Sequence, residues 1–140
     1  MSQVTKKNKI GFTCSCFDLL HAGHILMLKD SKEQCDYLIV GLQTDPTIDR
    51  PEKNKPIQSY EERYIQLEAV KYVDEIIKYE TEEELYQLLK IIRPDVRILG
   101  SDYEDGRYYT GMELNIPIHF HQRTHNYSST NLRKKVLENR

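Results

Sequence analysis

"DYLIVGL", residues 36–42, opens on one charge and then runs through six apolar or small residues without a polar break. A strand with one wet face alternates polar and apolar side chains. An unbroken run needs cover on both faces, as in a parallel sheet lying between helices. Upstream, Lys9 to Cys14 reads as a short strand, and "HILMLKDSKEQ" as the helix joining the two. Downstream, Pro46, Pro51 and Pro56 interrupt regular structure. A helix is then expected over Ser59–Tyr72, since Ser59 and Glu62 form a capping pattern ahead of apolar positions at helical spacing. "EIIKY" follows as a strand, and Thr81 with Glu84 repeats the capping pattern before Leu85, Leu88, Leu89 and Ile92. "DVRILG", ending at Gly100, and "IPIHF", at 116–120, read as two more strands. Ser129 is the expected cap of a last helix through Leu132 and Val136.

This alternation of strands and helices implies one three-layer, Rossmann-like α/β domain over residues 1–140, with a mostly parallel sheet. In such sheets ligands sit beyond the carboxyl ends of the strands, where the strand order reverses. The turns after residues 14, 42, 99 and 120 are expected to converge there.

Charge and composition exclude several classes. With 20 basic and 22 acidic side chains the chain does not look like a non-specific nucleic-acid binder, and no basic stripe with interleaved aromatics appears. No apolar run approaches the ~20 residues of a membrane span, and the polar start is not followed by a signal-peptide core. A cytoplasmic location is expected. Three cysteines cannot all pair within the chain, which argues against a disulfide scaffold. Cys14-x-Cys16 is open to three readings: packing, regulatory redox chemistry, or a metal site.

The first of these turns carries the chemistry. In "TCSCFDLLHAGH", Thr13–His24, two histidines stand three apart where a loop becomes a helix. A helix start offers free N–H groups and a positive dipole end, and Gly23 permits close approach. With Asp18 the only acidic residue nearby, a phosphate chain suits the place better than a metal, so no metal ligands are expected. Ordinary capping is the alternative for both histidines.

"CFDLLHAGH" resembles the signature of the nucleotidyltransferase superfamily with the histidine-x-glycine-histidine motif, and especially its glycerol-3-phosphate cytidylyltransferase branch. "DYLIVGLQTD", "SYEERYIQLEAVKYVDEII", "DVRILGSDY" and "RTHNYSST" resemble the same branch in the same order, over residues 9–137. The resemblance implies that His21 and His24 bind a triphosphate and stabilise the transition state at its α-phosphorus, with Cys16 and Phe17 amides on the same oxygens. Asp18 is implied near the substrates, with turn formation as the other reading. Lys53 and Lys55 resemble phosphate-reaching lysines in a loop about one residue longer than the family pattern; solvated loop charges are the alternative. Arg63 is implied as a contact to substrate phosphate, against a solvated helix face. Asp74 fits a helix-to-strand turn.

Asp102, in "GSDY", is implied around the nucleotide sugar or base, or else caps its turn. Arg123 is implied near base, ribose and phosphates. Ser128, Ser129 and Thr130 open a second helix start suited to phosphate. His125 reads as a loop residue, and His119 and His121 as structure or acceptor recognition. Where the branch has glycine and threonine before its phenylalanine, this chain has Ser15 and Cys16. That change removes backbone freedom and suggests a retuned substrate fit.

The activity so implied is cytidylyl transfer from CTP, with nucleotide-associated Mg²⁺, to a small phosphorylated alcohol or sugar, with glycerol 3-phosphate as the default acceptor. "GSDYEDGRYYTGMEL" also resembles adenylyltransferases acting on heptose phosphates. A nucleotide-binding domain without catalysis is the alternative of another class. The resemblance also implies a homodimer.

Overall fold

The computed structural model describes residues 8–139; the polar start at 1–7, read above for targeting, and Arg140 lie outside the described residues. Five strands form one sheet in the order β3-β2-β1-β4-β5: β1 (Ile10–Ser15), β2 (Tyr37–Gln43), β3 (Glu75–Tyr79), β4 (Val96–Gly100) and β5 (Ile118–His121). Every described pairing is parallel. Four α-helices connect or follow them: α1 (Ala22–Glu33), α2 (Tyr60–Glu68), α3 (Glu82–Ile92) and α4 (Ser129–Glu138).

The run at 36–42 becomes the sheet's second strand, and its side chains divide between two cores. Leu38, Val40 and Leu42 pack with Phe17, Leu28 of α1 and Leu67 of α2. Ile39 packs on the other face with Phe12, Tyr79 and Leu85 and Leu89 of α3. Period-two alternation therefore sends apolar groups both ways, and the three layers follow. The two wings of the sheet meet at β1, and β4 lies on its opposite side from β2, so the strand order reverses between β1 and β4. Among the described residues no helix is long and apolar enough to cross a membrane.

Three boundaries differ from expectation. The helix expected over 59–72 ends at Glu68, because residues 69–73 tighten into turns (Val70 N–H to Leu67 C=O, Val73 N–H to Val70 C=O) that deliver Asp74 to the sheet. There Asp74 accepts from the Leu38 N–H and pairs with Lys32, which is the turn role read for it. The last helix is capped by Ser128 rather than Ser129; the Ser128 hydroxyl accepts from the Asn131 N–H at 3.0 Å. The first helix starts two residues before His24, with His21 as its cap.

Candidate active site

At the reversal point, beyond the ends of β1 and β4, the surface opens into a cleft of about 1260 Å³. One wall is the turn after β1. His21 caps α1, its Nδ1 accepting from the Gly23 N–H at 3.0 Å. His24, three positions on, returns the arrangement: its Nδ1 accepts from the His21 N–H at 3.2 Å. The two rings lie with centroids 3.9 Å apart, and both border the cleft. Because each Nδ1 accepts, each neutral ring carries its hydrogen on Nε2. The helix cap thus presets two N–H donors beside a positive helix end, a fit for phosphoryl oxygens.

Charge on these rings is suppressed. Burial, aided by the positive charges of His21 and Arg123 and opposed by Asp18, pushes His24 down to about 4. Burial, Arg123 and His125 lower His21 as well. Near neutrality the His24 ring is therefore neutral, with its Nε2–H as a hydrogen-bond donor, and the His21 ring is shifted in the same direction.

Gly23 is needed for contact here. A Cβ on it would meet the His21 ring and the Tyr127 carbonyl oxygen, each at 2.8 Å. Ser15, by contrast, ends β1 in register with Leu42 and needs no special backbone freedom. The positive φ values fall on Phe17 (50°) and Leu19 (51°) instead, so the substitution at position 15 does not disturb the turn in the way expected.

The turn divides its residues between cleft and core. Cys16 borders the cleft, and burial pushes its thiol up to about 11, with Arg63 opposing; its thiolate is scarce near neutrality. All three cysteines are free, and among the described residues no group of three or more His, Cys, Asp or Glu could hold a metal ion. Phe17 is turned inward, 1% exposed, in the core under α1 and α2. Asp18 is also turned away from the cleft. Its two oxygens accept from the Ile57 and Gln58 N–H groups, both at 2.9 Å, and from Arg133 of α4 at 3.2 Å. Turn formation is the reading of Asp18 that this geometry matches.

Arg63 departs most from its expected place. It is 2% exposed, behind the cleft wall, and its guanidinium donates to the carbonyls of Gln58, Cys16, Gln43 and Thr44. That is a clamp joining the ends of β1 and β2 to the start of α2; four of its five N–H donors are taken by these carbonyls, and Arg63 does not border the cleft. Of the two lysines, Lys53 borders the cleft and Lys55 does not.

The opposite wall comes from the ends of β4 and β5 and the approach to α4. Asp102, Arg123, Ser128 and Ser129 all border the cleft, whereas Thr130 is exposed outside it. Ser129 donates its hydroxyl hydrogen to the Asp18 carbonyl at 3.3 Å, so it joins this wall to the β1 turn. His125 lies beside Gly23; its Nδ1 accepts from the Tyr127 N–H at 3.1 Å.

The cleft also has an arm toward α3 that sequence reading left unassigned. Arg50 reaches Gln43 Oε1 at 3.2 Å and Glu82 Oε2 at 3.3 Å; Glu82 Oε1 accepts in turn from the Thr110 hydroxyl at 2.8 Å. Arg97, 3% exposed, donates to the Thr110 carbonyl, and its guanidinium stands 5.3 Å from the centre of the Tyr109 ring. Gly111, at φ 89°, leaves room for this: a Cβ there would come within 2.7 Å of Leu89. A charge in the middle of the apolar strand "VRILG" was the sequence clue to Arg97.

A parallel sheet with a histidine-capped helix start at its strand-order reversal defines a nucleotidyltransferase-type α/β fold. The chain belongs to the cytidylyltransferase-like family, whose model matches residues 12–135. Among curated relatives, the bifunctional protein HldE of Wolinella succinogenes is 40% identical over 111 residues, which are 79% of this chain and 23% of that protein. The bifunctional protein HldE of Aliarcobacter butzleri is 34% identical over 94% of this chain and 27% of its own length. The chain therefore spans roughly a quarter of these relatives. Among solved structures, the lipopolysaccharide core biosynthesis protein of Thermoplasma volcanium GSS1 superposes with a TM-score of 0.67 at 27% identity, covering 87% of this chain and all of that one. The pantoate-beta-alanine ligase of Francisella tularensis shares the fold at a TM-score of 0.57 and 20% identity, covering 90% of this chain and 65% of that one.

Proposed function

We propose that this chain transfers a nucleotidyl group from a nucleoside triphosphate to the phosphate of a small sugar phosphate, releasing pyrophosphate. The observation that carries the reading is the pair of preset Nε2–H donors at the start of α1, on the wall of a cleft at the strand-order reversal. A phosphate oxygen of the acceptor attacks the α-phosphorus, the bond from that phosphorus to the bridging oxygen breaks, and pyrophosphate leaves with the electron pair. His21, His24 and Lys53 stabilise charge growing on the phosphoryl oxygens, and Arg123 and Ser128 orient the triphosphate. An acceptor phosphate is already ionised near neutrality, so no strong general base is required.

ATP is the donor favoured, with a heptose-type phosphate as acceptor. The similarity to HldE proteins and to a lipopolysaccharide core biosynthesis protein supports that choice over glycerol 3-phosphate, the acceptor expected first. The side of the cleft toward α3 suits a hydroxylated acceptor, since tyrosine rings (Tyr86, Tyr108, Tyr109) and carboxylates (Glu83, Glu113) are among the residues that line it. CTP stands as the second reading, on the family's cytidylyltransferase-like pattern. Mg²⁺ belongs to the proposal as a companion of the triphosphate: the side chains around the phosphate corner are imidazoles, hydroxyls and cations, not a chelating carboxylate set. A homodimer is carried in the same proposal, and sedimentation checks it.

Incubation of the protein and Mg²⁺ with ATP or CTP against a panel of phosphorylated sugars and glycerol 3-phosphate, following pyrophosphate, tests the reading. ATP-dependent release with a sugar phosphate is expected. Release with CTP and glycerol 3-phosphate alone would restore the first expectation, and nucleotide binding without release across the panel would make this a binding domain.

A further inference from the structure

Asp30, on the third turn of α1, accepts from two histidines of β5 at one oxygen. His119 Nε2 lies 3.0 Å and His121 Nδ1 2.8 Å from Oδ2. The two residues alternate on the strand, so both rings leave the same face of the sheet. Burial pushes the Asp30 carboxyl upward, but hydrogen bonds from His121 and His119 outweigh it and hold it below its ordinary range. An ionised carboxylate can only accept, so each ring donates the hydrogen it shares with Asp30. In the neutral His121 ring this is the Nδ1–H tautomer, which carries a lone pair on Nε2.

That Nε2 is buried and has no hydrogen-bond partner among the described residues. A buried acceptor without a donor is costly, and on a residue that borders a cleft it calls for a ligand that supplies the donor on entering. His121 borders both the main cleft and a smaller recess of about 420 Å³ against α1, where Leu26 and Phe120 offer apolar surface to a flat ring. Asp30 stands six residues beyond His24, about 9 Å along the helix axis. A ribose and its base span a comparable distance from an α-phosphate held at the helix start.

We propose that His121 reads the nucleobase: its Nε2 accepts a hydrogen bond from the exocyclic amino group of adenine or cytosine, and rejects the carbonyl that hypoxanthine or uracil presents at the same position. Asp30 acts through it as a positioning residue, setting the tautomer. The inference rests on the nucleotide lying with its phosphates at His21 and His24, as proposed above.

Calorimetric titration of the full chain with ATP against ITP, and CTP against UTP, tests the assignment, with tripolyphosphate as a probe of the phosphate corner alone. At least one amino nucleotide is expected to bind about tenfold or more tightly than its keto counterpart. In His121→Leu that preference should fall below about threefold while tripolyphosphate affinity is unchanged. Asp30→Asn, which removes nothing from the cleft but no longer dictates the tautomer, should narrow the preference as well. Equal binding of both pairs by the unaltered protein, or a preference that survives His121→Leu, overturns the assignment. If the base preference holds while no acceptor yields pyrophosphate, the transferase reading fails and His121 keeps its role. If pyrophosphate is released equally from ATP and ITP, the role is lost and the transferase reading stands.

Discussion

His24 Nδ1 accepts the backbone N–H of His21, while His21 Nδ1 accepts that of Gly23. Capping the helix and aiming the Nε2–H donors are thus the same act, performed by opposite edges of each ring. The two roles can be separated by substitution. His24→Gln keeps an acceptor at the third helical position, where glutamine is a usual partner in a reciprocal cap, so stability should change by less than ~0.5 kcal/mol. Its ring donor is lost, and turnover should fall about 10²- to 10³-fold. His24→Ala should lose turnover to the same extent and also about 1 kcal/mol of stability. Thermal melts beside pyrophosphate release check both, and a His24→Gln variant with full turnover would remove His24 from the chemistry.

The suppressed charge on these rings has a signed consequence for pH. Burial first, then His21 and Arg123, lower His24 to about 4, well below the ordinary value of 6.5. Between those values the unfolded chain binds more protons than the folded one, so stability of the ligand-free protein should fall as pH drops from 6.5 toward 4. A bound triphosphate favours the protonated ring and works in the opposite direction. Nucleotide binding should therefore take up protons at about pH 5.5, seen as a binding heat that varies with the ionisation enthalpy of the buffer. Heats independent of buffer would contradict the placement of triphosphate beside His24.

Arg63 is expected to matter for folding more than for substrate. Lysine cannot reach four carbonyls from one planar fork, so Arg63→Lys leaves buried acceptors unpaired and should cost about 3 kcal/mol. In the folded fraction, the KM for the phosphorylated acceptor should stay within about twofold, because this guanidinium faces the strand ends rather than the cleft. A large KM effect at unchanged melting temperature would return Arg63 to the substrate.

Lys53 and Lys55, two positions apart, should separate cleanly. Lys53 borders the cleft and Lys55 does not. Lys53→Ala is expected to lower kcat/KM by about tenfold or more, and Lys55→Ala by less than about threefold. Steady-state kinetics on the two variants decides the point, and equal losses would mean that the loop moves when substrate binds.

How far the sequence carried depended on whether the information was local. The layered parallel architecture followed from the unbroken apolar run at 36–42, because two-sided burial has few other solutions. His21 and His24 were legible because a cap and a helix start are set within four residues. Arg63 was not: its side chain is claimed by carbonyls 19, 20 and 47 positions away, and a helical arginine looks the same in sequence whether it faces water, substrate or a strand end. Asp18 could be left only as two readings for the same reason, since its partners at 57, 58 and 133 lie far along the chain. The arm formed by Arg50, Glu82 and Thr110 depends on three segments meeting, and no short motif marks it.

Asp18 holds more than its own turn. Through Arg133 and the Ser129 hydroxyl it fastens α4 to the phosphate corner, and α4 itself has no buried residue among its described positions. The segment carrying Ser128 and Ser129 is therefore attached by a few polar contacts, while β2 is locked into two apolar cores. Free energies of local opening should differ accordingly, with backbone amides of α4 exchanging hydrogen much faster than those of Val40 and Leu42. This wall of the cleft would then assemble last as the chain folds and come apart first as it loosens, leaving a protein that can lose the cleft while its sheet stays whole.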